Sequence, residues 1–152
     1  AVNMKPGTVA RLSSIKNIVG IKEASGSLVQ VSEIIDSCGP EFSVVSGEDA
    51  LTWPILAIGG KGVISVTANL VPSKFAKLCQ TAREGDIETA KALHYELLKL
   101  NDIMFIETNP IPVKAALALM GRIENEFRLP LCPPTEENLA QLSTVLKAYS
   151  LV

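Results

Sequence analysis

No apolar run in the 152-residue chain reaches the roughly 18 residues that a membrane-spanning helix needs, because Lys61, Lys74, Lys77 and their neighbours interrupt every candidate. Basic residues are not in excess either. Lys and Arg together number 14 against 16 Asp and Glu, for a formal charge of −2 and an isoelectric point near 5.5. Nucleic acid and anionic membrane are therefore poor partners, and the expected ligand is a small molecule. Cysteine is scarce and unpaired: Cys38, Cys79 and Cys132 lie far apart, with no CxxC pair and no nearby histidine of the kind a zinc site requires. A reduced, cytoplasmic protein is the simplest expectation. The only histidine, His94, lies in an amphipathic stretch with no ligand at metal spacing, so a structural or surface role is expected. The opening Ala1-Val2-Asn3-Met4-Lys5-Pro6 carries neither an initiator methionine nor a targeting pattern, and the expectation is a chain that continues a longer protein.

What is present is a globular composition, 47% hydrophobic, enough for one core. Three short apolar runs, residues 18–22, 42–46 and 62–66, are rich in valine and isoleucine and lack polar alternation. Such strands suit a sheet covered on both faces, which usually means parallel strands joined by helical crossovers. Leu28, Val31, Ile34 and Ile35 follow helical spacing and stop at Cys38-Gly39-Pro40; a second helix over 49–58 stops at Gly59-Gly60. A further helix over 6–15 leads into the first run. After Val66 the pattern is helical only, over 73–83, from Asp86 through Ile87, Ala90, Leu93, Leu97, Leu100 and Met104, over 113–120, and from Thr135 through Leu139, Leu142, Leu146 and Tyr149. Residues 122–134, with Pro130, Pro133 and Pro134, read as an irregular connector. Three βα units make a small sheet on their own, yet they fit the second part of an eight-stranded barrel.

Ligands of open and closed α/β sheets meet the carboxyl ends of the strands, which directs attention to Lys22-Glu23, to Ser46-Gly47-Glu48-Asp49 and to residues 65–69. Lys22 ends an apolar run. An amine at the edge of a core loses hydration, which lowers its pKa and frees it to attack a carbonyl, as in Schiff-base enzymes; the alternative is a strand-end lysine that reaches water. Strand alternation points Glu23 away from Lys22, so no ion pair between them is expected. Gly47 either lets a substrate approach the backbone or permits a turn with positive φ. Glu48 and Asp49 resemble a paired acid site, but acidic residues opening a helix serve its dipole, and that reading is preferred. Gly59-Gly60-Lys61-Gly62 follows a helix and precedes a strand, the reverse of a phosphate loop, and reads as helix termination. Pro110 and Pro112 rigidify the turn from Glu107 to Lys114, with Pro112 placed in the first turn of the next helix.

Taken together, Val19-Gly20-Ile21-Lys22-Glu23-Ala24-Ser25-Gly26, Ser46-Gly47-Glu48-Asp49, Gly59-Gly60-Lys61-Gly62-Val63-Ile64-Ser65-Val66 and Glu107-Thr108-Asn109-Pro110-Ile111-Pro112-Val113-Lys114 resemble the dihydrodipicolinate synthase family. The resemblance runs along essentially the whole chain. It implies an α/β fold, the C-terminal part of a (β/α)8 TIM barrel: residues 1–71 would hold strands six to eight, and residues 72–152 the last barrel helix and a C-terminal helical extension of the same structural unit. It implies Lys22 as the Schiff-base lysine, Ile64 as a pyruvate contact and Gly47 as a glycine near the substrate.

The implied reaction condenses pyruvate with aspartate semialdehyde in lysine biosynthesis, without a metal or organic cofactor, in an enzyme that is a homotetramer at full length. The family's threonine and tyrosine proton relay, its carboxylate-binding arginine and its lysine-feedback site belong to the first part of the barrel, which this sequence does not contain. The chain would then hold the nucleophile without most of the groups that move protons, and activity of this part alone is not expected. Two alternatives stay open at this point. One is a related pyruvate-dependent aldolase, such as N-acetylneuraminate lyase or a 2-keto-3-deoxy sugar-acid aldolase. The other is a non-catalytic assembly module whose open strand edge is covered by a partner.

Overall fold

In the computed structural model, which describes residues 2–152, the order of elements follows the hydrophobic pattern closely. Helix α1 (Pro6–Ser13) leads to strand β1 (Gly20–Glu23), α2 (Leu28–Cys38), β2 (Ser43–Ser46), α3 (Thr52–Ala57) and β3 (Gly62–Val63). Four helices then follow: α4 (Pro72–Glu84), α5 (Ile87–Ile103), α6 (Ile111–Leu119) and α7 (Glu136–Ala148). The strands form one parallel sheet in the order β1-β2-β3, as the helical crossovers require.

The helix ends carry the chemistry that terminates them. Ser27 accepts from the amide of Gln30 at 3.2 Å to cap α2, Asp86 accepts from Thr89 at 3.1 Å to cap α5, and Thr135 accepts from Asn138 at 3.2 Å to cap α7. Gly85 ends α4 in the left-handed region. After α3, the Gly60 amide donates to the Ile55 carbonyl at 2.8 Å, so the Gly59-Gly60 pair closes a helix as the sequence suggests.

Three expectations change. The helix expected over 49–58 is a 3-10 turn (Asp49–Leu51) followed by α3, because Pro54 has no amide proton and fits only within the first turn of an α-helix. The third strand is two residues rather than five, since Ser65 Oγ accepts the Ala68 amide at 2.8 Å and turns the chain into a 3-10 segment, Thr67–Asn69. The sheet is also not covered on both faces within this chain. Val44 packs with Val9, Val31, Ile34, Phe42 and Ile55 beneath α1, α2 and α3, whereas Lys22 and Ile64, on the opposite face, are exposed.

The larger core lies among the C-terminal helices. Leu78 of α4, Leu93, Leu97 and Leu100 of α5, Val113 and Ala116 of α6, and Leu142 and Leu146 of α7 form one buried cluster. Its helices follow the apolar stripe read from the sequence. An ion pair between Lys74 and Glu96 ties α4 to α5, and the Tyr149 hydroxyl donates to the Glu96 carbonyl. No helix among the described residues is long and apolar enough to cross a membrane.

Candidate functional site

The register of the sheet assembles the site. Lys22 pairs with Val45, and Val45 with Gly62, so these three share one face. The ladder runs one residue past each strand: the Gly47 amide donates to the Glu23 carbonyl at 2.7 Å, and the Ile64 amide to the Ser46 carbonyl at 2.8 Å. With a period of two, Gly47 and Ile64 fall on the same face as Lys22. The three residues singled out in the sequence are thus brought together at the carboxyl ends of adjacent strands.

Lys22 is exposed, so the loss of hydration expected of it is not supplied by the described residues. Its direction is nonetheless constrained by Gly47. A Cβ at position 47 would sit 2.7 Å from the Ala24 Cβ and 2.8 Å from the Lys22 Cε, closer than real Cβ atoms approach, and a tight 3.1 Å from the Lys22 Cγ. Gly47 is not among the glycines with positive φ. The turn reading is thereby excluded, and the space at Gly47 is taken up by the lysine stem, a use that neither sequence reading named.

Glu23 points to the other face, as strand alternation requires, and is buried. Its Oε1 accepts from the Ser25 amide at 3.1 Å and from Gln30 Nε2 at 2.8 Å, which fastens the end of β1 to α2. Gln30 and Asn3 complete this network by exchanging side-chain hydrogen bonds at 2.7 and 3.1 Å. A cleft of about 360 Å³ borders Lys22, Asn3, Ile21, Glu23 and Gln30. A second, of about 450 Å³, is lined by Gly47, Glu48, Asp49, Asn101, Asp102 and Phe105. Ala24 borders both, so the two clefts adjoin around the β1 exit.

Sequence reasoning singled out Asp49 but preferred a helix-dipole role for it. Far from serving only a helix dipole, it is 3% exposed, and its Oδ2 accepts from the Val66 amide at 3.0 Å, the Thr67 amide at 2.9 Å and the Thr67 hydroxyl at 3.0 Å. No local signal marks a partnership between residues 17 and 18 positions apart. Asn101, buried on α5 and bordering the same cleft with its Oδ1 unpartnered, was missed because a single asparagine on a helix carries no signal of its own. Glu48, by contrast, lies at the cleft with its backbone held by Ser46: the Ser46 hydroxyl donates to the Glu48 carbonyl at 2.7 Å and accepts its amide at 3.1 Å.

The remaining sequence candidates have structural surroundings. His94 packs between Trp53 and Tyr95, with ring centroids 5.5 and 5.1 Å away, and burial pushes its pKa down. No group of metal-ligating side chains occurs among the described residues. Glu107 accepts from Asn138 Nδ2 at 2.7 Å and from the Thr135 amide at 2.9 Å, and these hydrogen bonds hold its carboxyl below the usual glutamate range. It thereby fastens the turn before α6 to the start of α7.

The model of the dihydrodipicolinate synthetase family matches residues 1–149. The chain is 55% identical to the 4-hydroxy-tetrahydrodipicolinate synthase of Geobacter sulfurreducens over 151 residues, 99% of this chain and 52% of that protein. It is also similar to the crystal structure of dihydrodipicolinate synthase from Aquifex aeolicus, with a TM-score of 0.96 and 46% identity over 99% of this chain and 52% of that one. The chloride-inhibited synthase of Acinetobacter baumannii complexed with pyruvate gives a TM-score of 0.96 at 39% identity, with the same coverage of 99% and 52%. The chain spans about half the length of the curated relatives it matches.

Proposed function

The chain belongs to the dihydrodipicolinate synthetase family, and from that premise we propose that it forms part of a lyase condensing pyruvate with aspartate semialdehyde on the route to diaminopimelate and lysine. Residues 1–71 supply strands six to eight of a (β/α)8 barrel, and residues 72–152 the last barrel helix and the C-terminal extension, in one structural unit. The full enzyme is a cytoplasmic homotetramer that needs no metal or organic cofactor. The Geobacter sulfurreducens relative bears the synthase name, which favours this branch over the sugar-acid aldolases.

The observation that carries the proposal is the shared face of Lys22, Gly47 and Ile64, with Gly47 leaving room for the lysine stem. In the proposed reaction the free Nζ of Lys22 attacks the ketone carbon of pyruvate, and the resulting carbinolamine expels its oxygen as water. The protonated imine draws electrons from the methyl group, which loses a proton to give the enamine. The enamine carbon adds to the aldehyde carbon of the second substrate, and the new alkoxide takes up a proton. The amino group of that substrate then attacks the imine carbon, closes the ring and displaces the lysine. Gly47 and Ile64 form the wall against which pyruvate lies. Proton transfer and the grip on the substrate carboxylates come from the other half of the barrel, so this half alone does not turn over.

Pyruvate and borohydride test the assignment. Intact mass and peptide mapping are expected to locate a reduced adduct on Lys22 in the full-length native protein, and Lys22→Ala is expected to abolish both adduct and turnover. Normal turnover by Lys22→Ala would sink it.

A further inference from the structure

The sheet stops supporting the third strand where support is most needed. β3 pairs with β2 through only Gly62 and Val63, and the last ladder bond is that from the Ile64 amide to the Ser46 carbonyl at 2.8 Å. The next carbonyl in line beyond β2, that of Glu48, accepts instead from the Ser46 hydroxyl at 2.7 Å and the Leu51 amide at 3.2 Å, so the Val66 amide bonds elsewhere. The side chain of Asp49 takes that place. Its Oδ2 accepts from the Val66 amide, the Thr67 amide and the Thr67 hydroxyl at 3.0, 2.9 and 3.0 Å, in a site where Asp49 is 3% and Thr67 0% exposed. The opposite end of Asp49 is held too, since the Thr52 hydroxyl donates to its carbonyl at 2.8 Å.

We propose that Asp49 is a positioning residue for the pyruvate-binding face, fastening the exit of β3, which carries Ile64, to the exit of β2, which carries Gly47. The inference rests on the reading of Lys22, Gly47 and Ile64 given above. A single carboxylate oxygen that accepts three donors fixes the direction of the chain at Val66 and Thr67, and through it the residue two positions earlier. A wall displaced by a fraction of an ångström loosens the fit to a three-carbon substrate more than it slows later steps. The geometry, not the negative charge, is what the role requires. An asparagine at this position keeps an acceptor oxygen toward Val66 and Thr67.

The test uses the full-length native protein with pyruvate and aspartate semialdehyde. Asp49→Ala is expected to raise the KM for pyruvate about tenfold while kcat falls less than about threefold, and Asp49→Asn to restore the KM to within about twofold of the parent. Thr67→Val, which removes only the hydroxyl donor, is expected to raise the same KM about threefold. This variant and Asp49→Asn carry the test if Asp49→Ala does not fold. A role confined to fold stability would lower the melting temperature and leave the pyruvate KM of Thr67→Val and folded Asp49→Ala unchanged, which overturns the proposal. Asp49→Asn as impaired as Asp49→Ala overturns it as well, since charge rather than position would then be at work. The two readings fail separately. Absence of a borohydride-trapped pyruvate adduct on Lys22 in the parent protein removes the assigned function, whereas a normal adduct with an unchanged KM in the Asp49 and Thr67 variants removes only this inference.

Discussion

The sheet-bearing part of the chain and its helical part differ in how completely they cover themselves. Six buried residues, from Val9 to Ile55, make the core under the sheet, against fourteen among the later helices. The face of the sheet that bears the candidate chemistry is the less covered one: Lys22 is exposed, and Ile64 is 53% exposed. The helical part instead has a larger fully buried centre, with Leu97, Leu100 and Met104 at 0%. The part that carries the reactive groups is thus the part least able to stabilise itself. The chain spans about half the length of the relatives it matches, and in the proposed barrel the open face is the one turned toward the remaining strands, whereas the helical part packs against itself.

The comparison is open to direct attack. The largest effect is expected from Leu97→Ala, which removes a fully buried side chain from the helical core and is expected to cost about 2–5 kcal/mol in urea unfolding. In hydrogen exchange, amides of α5 are expected to be more than about tenfold better protected than those of β1. Equal protection of the two would mean that the sheet is as stable as the helical core.

Gly47→Ala comes next and acts on the other side of the comparison. The added methyl meets Ala24 and the Lys22 stem, so the rate of borohydride-trapped pyruvate adduct formation is expected to fall about a hundredfold. The helical core does not touch this position, and thermal unfolding is expected to change little. A variant that traps pyruvate normally would show that the lysine stem has another way out.

The smallest effect belongs to Glu107, which fastens a turn to α7. Its folded carboxyl lies below the ordinary glutamate range, so the charged form is the one that folding favours. Its contribution to stability is therefore present above that ordinary range and is lost as pH falls through the lowered value. Glu107→Gln is expected to melt slightly below the parent at about pH 6, and the difference is expected to shrink as pH falls through the lowered value. A difference that persists undiminished below that value would mean that hydrogen-bond shape rather than charge holds the turn.

Much of the fold was legible because periodicity speaks for itself. Leu93, Leu97 and Leu100 repeat at helical spacing and do line the core face of α5; Gly39, Gly60 and Gly85 stand where helices close. Strand ends were less legible. Ile64, Ser65 and Val66 have the composition of a strand, yet a serine side chain and an aspartate seventeen residues earlier take up the backbone groups that a longer ladder would have used. Of the site, Lys22 and Gly47 stood out by their place after apolar runs. Asp49 looked like any acidic residue at the start of a helix, and nothing in its neighbourhood distinguishes a dipole partner from a clamp.

By itself the sequence determined which segments are helices and strands, that the strands run parallel, and which family the residues resemble, because these depend on local spacing and on short motifs. Only the tertiary structure decided that Lys22, Gly47 and Ile64 share a face, that Glu23 serves the opposite one, and that Asp49 joins two strand exits. Those facts depend on strand register and on hydrogen bonds across the fold, and a one-residue slip in register would reverse every face while leaving the sequence pattern unchanged.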